Sequence, residues 1–219
     1  MAFTHGIKQI VTNGLILALD AGNPRSYPGS GTTWYDLSGN GNNGTLYSIT
    51  HASNNFGVLQ TAGNSSSYID IPSPNLQSSN YTIFTAVRYN GGTRARMVNG
   101  KVNNWLMGHW GNSTENYFAA GWVTPAAATG PSDTVWRIFH ATGNVSGDVY
   151  DFYINGSQGS ISNAAGGSAG PNGITIGKIG YSTTESSTGE VSFIFAYNRV
   201  LSLGEILQNY NVTKYRFGL

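Results

Sequence analysis

Short runs of alternating apolar and polar residues recur along this chain, each closed by Gly, Asn, Ser or Pro, and this punctuation constrains the fold more than any other feature. Runs of this kind read as strands at 14–20, 68–71, 81–89, 94–98, 105–110, 117–123, 135–141, 149–154, 174–179 and 191–198, about ten in all. In 81–89 the odd positions Tyr81, Ile83, Thr85, Val87 and Tyr89 share one face, while Phe84 and Ala86 take the other. Val191, Phe193, Phe195 and Tyr197 repeat the alternation. Asn155-Gly156 follows the 149–154 run, and because both residues tolerate positive φ it marks a two-residue hairpin. Helical periodicity occurs only near the end. Ser202 and Glu205 have capping-box spacing, Leu201 and Ile206 can close a hydrophobic staple, and Leu203, Ile206, Leu207 and Tyr210 form a stripe, which predicts a helix over about 202–211.

Composition agrees with a many-turned sandwich. Gly (30), Ser (23), Asn (23) and Thr (20) dominate the 219 residues and only 10% are charged, which excludes coiled coils and acidic disordered chains. Apolar residues at 39% and aromatics at 12% are enough for one sizeable core, so residues 1–219 are expected to form a single domain. A net charge of +1 gives no field to hold a polyanion, so nucleic acid is not an expected partner. Without Cys there are no disulfides, thiolate metal sites or thiol chemistry. No apolar run approaches a membrane span and no Sec-type leader opens the chain, so membrane insertion is not expected and synthesis in the cytoplasm of the producing cell is.

Candidate functional residues lie in three places. Residues 34–46, Trp-Tyr-Asp-Leu-Ser-Gly-Asn-Gly-Asn-Asn-Gly-Thr-Leu, form a loop in which Asp36 and Ser38 can accept backbone amides and Trp34, Leu37 and Leu46 can anchor the ends. A structural turn is one reading; calcium, held by one carboxylate and several amide oxygens, is the other, and no other cofactor is expected. Asn103, Asn104, Trp105, His109, Trp110, Tyr117 and Trp122 concentrate aromatic rings with amides, the mixture that stacks on sugar C–H faces and pairs with hydroxyls. Strand periodicity puts Trp105 and His109 on one face and Leu106 and Trp110 on the other, so at least one of these Trp residues belongs to the core. Arg94 and Arg96, near Arg88 and Lys101, form a basic patch that either takes acidic sugars or solubilises a sheet face.

Residues 34–46, Phe152-Tyr153-Ile154-Asn155-Gly156, Ile176-Gly177, Gly189-Glu190-Val191 and Tyr197-Asn198-Arg199-Val200-Leu201-Ser202 with Glu205-Ile206 occur in the order found in the LamG-like, concanavalin A-like lectin/glucanase superfamily, which the chain resembles across most of its length. That resemblance implies an all-β jelly-roll sandwich of two antiparallel sheets with one short C-terminal helix. The opening Met1-Ala2-Phe3-Thr4-His5-Gly6, the segment from Gly14 to Trp34 and the ending Arg216-Phe217-Gly218-Leu219 look like virion proteins of tailed bacteriophages, marine and cyanobacterial ones in particular. This likeness implies a tail-fibre, surface or capsid-decoration protein, with a host-surface glycan, other virion proteins or further copies of itself as partners. Hydrolytic relatives carry neighbouring carboxylates in a run such as Glu-x-Asp-x-x-Glu. Here Glu115, Glu185, Glu190 and Glu205 are isolated, so no catalytic residue is assigned and a lectin-like role without catalysis is expected. A decoration role resting on subunit packing alone, and a hydrolase or lyase, are the alternatives.

Overall fold

The computed structural model describes residues 9–124, 131–158, 165–182 and 184–219; Met1–Gly6, quoted above for the virion-protein likeness, lies outside the described residues. In chain order the strands are β1 (Leu15–Asp20), β2 (Thr33–Trp34), β3 (Gly44–Tyr47), β4 (Thr50–Ala52), β5 (Val58–Ala62), β6 (Tyr68–Asn75), β7 (Tyr81–Tyr89), β8 (Val98–Gly100), β9 (Trp105–Trp110), β10 (Ser113–Ala119), β11 (Arg137–Asn144), β12 (Val149–Ile154), β13 (Ser157–Gln158), β14 (Asn172–Ile176) and β15 (Thr188–Tyr197). Two antiparallel sheets result. One runs β13-β12-β11-β7-β15-β5-β4 with β1 also beside β15, and the other runs β10-β9-β8-β14-β6-β3-β2. Among the described residues there is one α-helix, α1 (Leu203–Thr213), which precedes a 3₁₀ turn at Lys214–Phe217; a second 3₁₀ turn lies at Asn54–Phe56. This is the expected jelly-roll sandwich.

Runs 81–89, 105–110 and 149–154 coincide with β7, β9 and β12, and Asn155-Gly156 (φ 50° and 78°) turns β12 into β13. Two expectations need correction. Residues 94–97 are not strand, because this stretch meets β9 only through Met97 N to His109 O (3.3 Å) and Gly111 N to Ala95 O (3.0 Å). The second sheet's edge strand is Ser113–Ala119 rather than 117–123; residues 121–124 fold back on it, with Val123 N donating to Tyr117 O.

Between the sheets lies a core containing Trp34, Ile69, Tyr81, Ile83, Val87, Trp105, Tyr117, Phe139, Phe152 and Ile194. Tyr81 and Tyr117 are buried inside it, which is affordable only because their hydroxyls are paired. Their oxygens lie 2.5 Å apart, Trp105 Nε1 donates to Tyr81 (2.9 Å), and Tyr117 donates to Thr142 O (2.9 Å). A second apolar layer covers the outer face of the first sheet: Phe84, Ala86, Ile138, Phe193, Phe195 and Tyr197 pack with Leu201 and Ile206. Val191 nevertheless faces the inter-sheet core. The expected single face for Val191, Phe193, Phe195 and Tyr197 is broken by a bulge at Ser192, which shifts the β15–β7 register and flips the strand.

The helix differs from its predicted stripe for a similar reason. Ile206 is buried, but Leu203 is 52% exposed and Leu207 is also exposed, while the inward positions include Asn209 and Thr213. Asn209 belongs inside because it is satisfied there: its Oδ1 accepts Val11 N (2.8 Å), its Nδ2 donates to Tyr197 Oη (3.0 Å), and that hydroxyl donates to Val11 O (3.0 Å). This triangle ties the N-terminal segment, β15 and α1 together. At the helix start Glu205 accepts Ser202 N and binds Arg199 through both oxygens (2.9 and 2.6 Å), and the guanidinium first among these pulls its carboxyl down to about 2.

Two histidines sit sealed in apolar surroundings with neither ring nitrogen paired. His140 stacks on Phe84 (centroids 4.2 Å apart, 14° between planes), and His109 meets Tyr89 and Phe139 edge-on. Burial pushes both down to about 3, helped at His109 by the nearby Arg137 guanidinium. Because the folded values lie below the unfolded value of about 6.5, the unfolded chain takes up protons first. The stability these groups contribute is therefore complete above about pH 6.5 and is lost as pH falls toward 3, at ~1.4 kcal/mol per pH unit for each ring. Urea melts at stepped pH should show this slope below pH 6.5, and His140→Leu should flatten it by about half; an unchanged slope in that variant contradicts the assignment.

Candidate functional site

The aromatic segment that composition marked as sugar-like is divided by the sheet into a core half and a surface half. Trp105, His109 and Tyr117 point inward and have no exposed surface, so they are corrected from candidate ligand contacts to core. Trp110 and Trp122 are half-buried on the outer side and lie together, ring centroids 5.1 Å apart at 43°. Phe118, which was not among the candidates, completes the group: its ring meets Trp122 edge-on at 5.2 Å, and its backbone pairs with Leu106 of β9 and with Trp122. Tight turning at Ala120 (φ 63°) and Gly121 brings Trp122 back over Phe118.

The polar candidates also separate. Backbone pairing of residues 95–97 with 109–111 places Arg96 alongside Trp110 at the sheet surface. Arg96 is not an open cation: Nε binds Glu185 and Nη1 donates to Asn104 Oδ1 (2.7 Å). Arg96, opposite Trp110 in that pairing, thus belongs to an Arg96–Glu185–Asn104 polar group in which amide and carboxylate edges are oriented by the guanidinium. Arg94 turns away, with its guanidinium 5.5 Å from the Tyr89 ring and bonded to Ser132. Arg88 pairs with Glu190 and Lys101 with Asp70, so three of the four cations of the predicted basic patch are in ion pairs and they do not form one positive face. Asn103 is a scaffold residue: it donates to Gly170 O (2.8 Å) and accepts Asn172 N (2.9 Å), joining two loops.

The 34–46 loop is a hydrogen-bonded turn. Asp36 Oδ1 accepts Ala18 N (2.8 Å) and Ser38 N (2.9 Å), and Oδ2 accepts Ser38 Oγ (2.7 Å) and Asn42 N (2.9 Å). Four donors already converge on the carboxylate that a calcium ion would need. Trp34 and Leu46 anchor the loop as expected, whereas Leu37 is 37% exposed. Leu37 instead borders a groove of about 400 Å³ between Leu15, Phe195 and Val212, where the charged groups Asp20 and Arg216 are closed on each other by two 3.0 Å bonds.

No protein-family model matches the chain and none of the curated proteins matches it. Among solved structures it is similar to the binding domain of Paraclostridial Mosquitocidal Protein 1 (TM-score 0.65, 17% identity, 91% of this chain and 52% of that one). It is also similar to a Trypanosoma rangeli sialidase mutant displaying trans-sialidase activity (TM-score 0.68, 14% identity, 96% and 34%). A third likeness is to the botulinum neurotoxin serotype D ligand binding domain in complex with N-acetylneuraminic acid (TM-score 0.60, 13% identity, 92% and 51%). The chain spans about half the length of the two binding domains and a third of the sialidase. What these proteins share with it is the β-sandwich fold.

Asp36→Ala should cost about 3 kcal/mol, because three amides and a hydroxyl lose a charged acceptor. Calcium or a chelator should leave the wild-type melting midpoint where it is; a rise with calcium would reassign the loop as a metal site.

Proposed function

We propose that this protein is a non-enzymatic, lectin-like module that binds carbohydrate through the Trp110–Phe118–Trp122 surface. The carrying observation is that these three rings gather half-buried on the outer side of the sheet, and that Arg96, opposite Trp110 in the backbone pairing, orients Asn104 and Glu185. Sugar rings bind by this combination of an apolar C–H face and fixed hydrogen-bonding edges. Two of the similar structures bear on the reading through their ligands: one holds N-acetylneuraminic acid and another sialidase structure holds 2,3-difluorosialic acid.

A binding role without hydrolysis is supported by the state of the carboxylates. All ten Asp and Glu side chains are engaged. Asp20, Asp70, Asp133, Glu115, Glu185, Glu190 and Glu205 are in ion pairs. Asp36 and Asp148 cap backbone amides, and Asp151 accepts from Gln158. Glycoside hydrolysis needs one acid and one nucleophile or base across the bond, and a carboxylate held by a guanidinium is poorly suited to carry a proton to a leaving group. The sequence likeness at the chain ends extends the proposal to a tailed-phage virion, where repeated copies on a tail or capsid would turn weak single-site affinity for a host-surface glycan into avidity.

A glycan array and host-cell polysaccharides, probed with wild type and with Trp110→Ala and Trp122→Ala, test this. Binding should fall at least about tenfold, ~1.4 kcal/mol, in either variant with the melting midpoint nearly unchanged. Trp105→Ala should instead lose about 3–5 kcal/mol of stability. Silence of the wild type across the panel, or undiminished binding by both surface variants, contradicts the proposal.

A further inference from the structure

A small cleft of about 220 Å³ lies at another part of the sandwich, lined by Tyr27, Pro28, His51, Ser53 and Phe56 among others. Its most unusual member is Phe56. The ring is 71% exposed, and its backbone sits at φ 65°, directly after Asn55 at φ 50° and before Gly57 at φ 116°. Left-handed backbone is costly for a bulky side chain, and an exposed ring gains little from burial in return. A phenylalanine that contributes neither core nor comfortable backbone points to use of the ring itself.

The surrounding chain holds this geometry firmly. Gly57 N donates to Asn54 O (2.9 Å), Ser192 Oγ donates to Gly57 O (3.0 Å), and Asn55 Nδ2 donates to Arg216 O (3.0 Å). Close packing adds to this: a Cβ at Gly57 would lie 2.4 Å from Ala21 O, and one at Gly22 would lie 2.2 Å from Phe56 O. Phe56 is therefore presented on a rigid turn.

Of the polar groups lining the cleft with it, His51 Nδ1 and the Ser53 hydroxyl are open, while His51 Nε2 is buried without a partner among the described residues. Neither His51 nor the Ser53 hydroxyl makes a side-chain hydrogen bond to another described residue, whereas Tyr27 spends its hydroxyl on Gly31 O (3.1 Å) and offers only its ring, edge-on to His51. Gly29, at φ 91°, leaves space over the imidazole, since a Cβ there would be 3.9 Å from Nδ1. Apart from the imidazole, no ionisable side chain other than the tyrosine phenol lines the cleft. The volume equals that of about seven liquid waters at about 30 Å³ each, room for one ring rather than a chain.

We propose that this cleft is a second carbohydrate subsite, taking one neutral pyranose ring with its C–H face on Phe56 and hydroxyls bonded to His51 and Ser53. The proposal rests on the carbohydrate-binding reading but concerns a separate place. It is tested by following the ring resonances of ¹³C-labelled histidine while titrating the methyl glycosides of glucose, galactose, mannose and N-acetylglucosamine, with N-acetylneuraminic acid as the charged comparison. At least one neutral glycoside should shift the His51 signal saturably, and the acidic sugar should not. Phe56→Gly, which suits the positive φ, should keep or raise the melting midpoint yet weaken that binding at least tenfold, and His51→Phe should weaken it similarly. No shift with any neutral glycoside, a shift with the acidic sugar alone, or wild-type affinity in Phe56→Gly overturns the subsite. Array binding that persists with a silent His51 defeats only this cleft; a silent array with a responsive His51 defeats only the tryptophan surface.

Discussion

Burial of the last strand on both faces is the constraint from which the rest of the sandwich follows. Nine of the ten residues of β15 are buried, so the strand needs an apolar layer on each side and hydrogen-bonding partners along both edges. The inter-sheet core covers one side. On the other, Phe193, Phe195 and Tyr197 would lie bare without α1 and the C-terminal turn. The edges are shared in sequence: β7 runs along one, while β5 serves the first half of the other and β1 the second, with the Ser192 bulge at the changeover. The buried Asn209–Tyr197–Val11 triangle and Arg216, bonded to Asp20 and to Ser192, then lock the segment at Val11 and the C-terminal turn to this strand.

Once the outer face of the first sheet is occupied in this way, the half-exposed aromatic cluster lies on the other sheet. The second sheet ends in the β9–β10 hairpin, where alternation sends Trp105 and Tyr117 inward and leaves Phe118 and Trp110 outward. Inside, the Tyr81, Tyr117 and Trp105 polar atoms satisfy one another, which fixes the inward rings and thereby the outward ones. The same scarcity of charge that characterises the sequence is visible as pairing: carboxylates and guanidinium groups are mostly consumed in holding loops, leaving aromatic faces, amides and hydroxyls at the surface.

How much of this was readable in the sequence depended on element length. Strands of six to nine residues with clear alternation, such as β7, β9 and β12, carry enough period-2 signal to be placed end to end. β2, β3, β4 and β5 span only two to five residues and include Gly, Thr, His and Gln, so tertiary pairing rather than local pattern defines them. The Ser192 bulge was hidden because one inserted residue inverts facing without changing composition. Alternation did indicate that the Trp105 face and the Trp110 face part company. It could not indicate which was buried, nor that Phe118 and Trp122 would join Trp110 across a turn. The Phe56 cleft left no local signal, since Tyr27, His51 and Phe56 come from separate segments and positive φ at a phenylalanine is not written in the residue type.

The central claim is that ligand meets Trp110 and Trp122 while the remaining tryptophans serve the fold. Fluorotryptophan labelling with ¹⁹F NMR, titrated with whichever glycan gives the strongest array signal, tests this in one experiment because each of the five Trp residues reports separately. The Trp110 and Trp122 resonances should move saturably while those of the buried Trp34, Trp105 and Trp136 stay in place. Movement confined to the buried rings, or binding that moves none of the five, would contradict it.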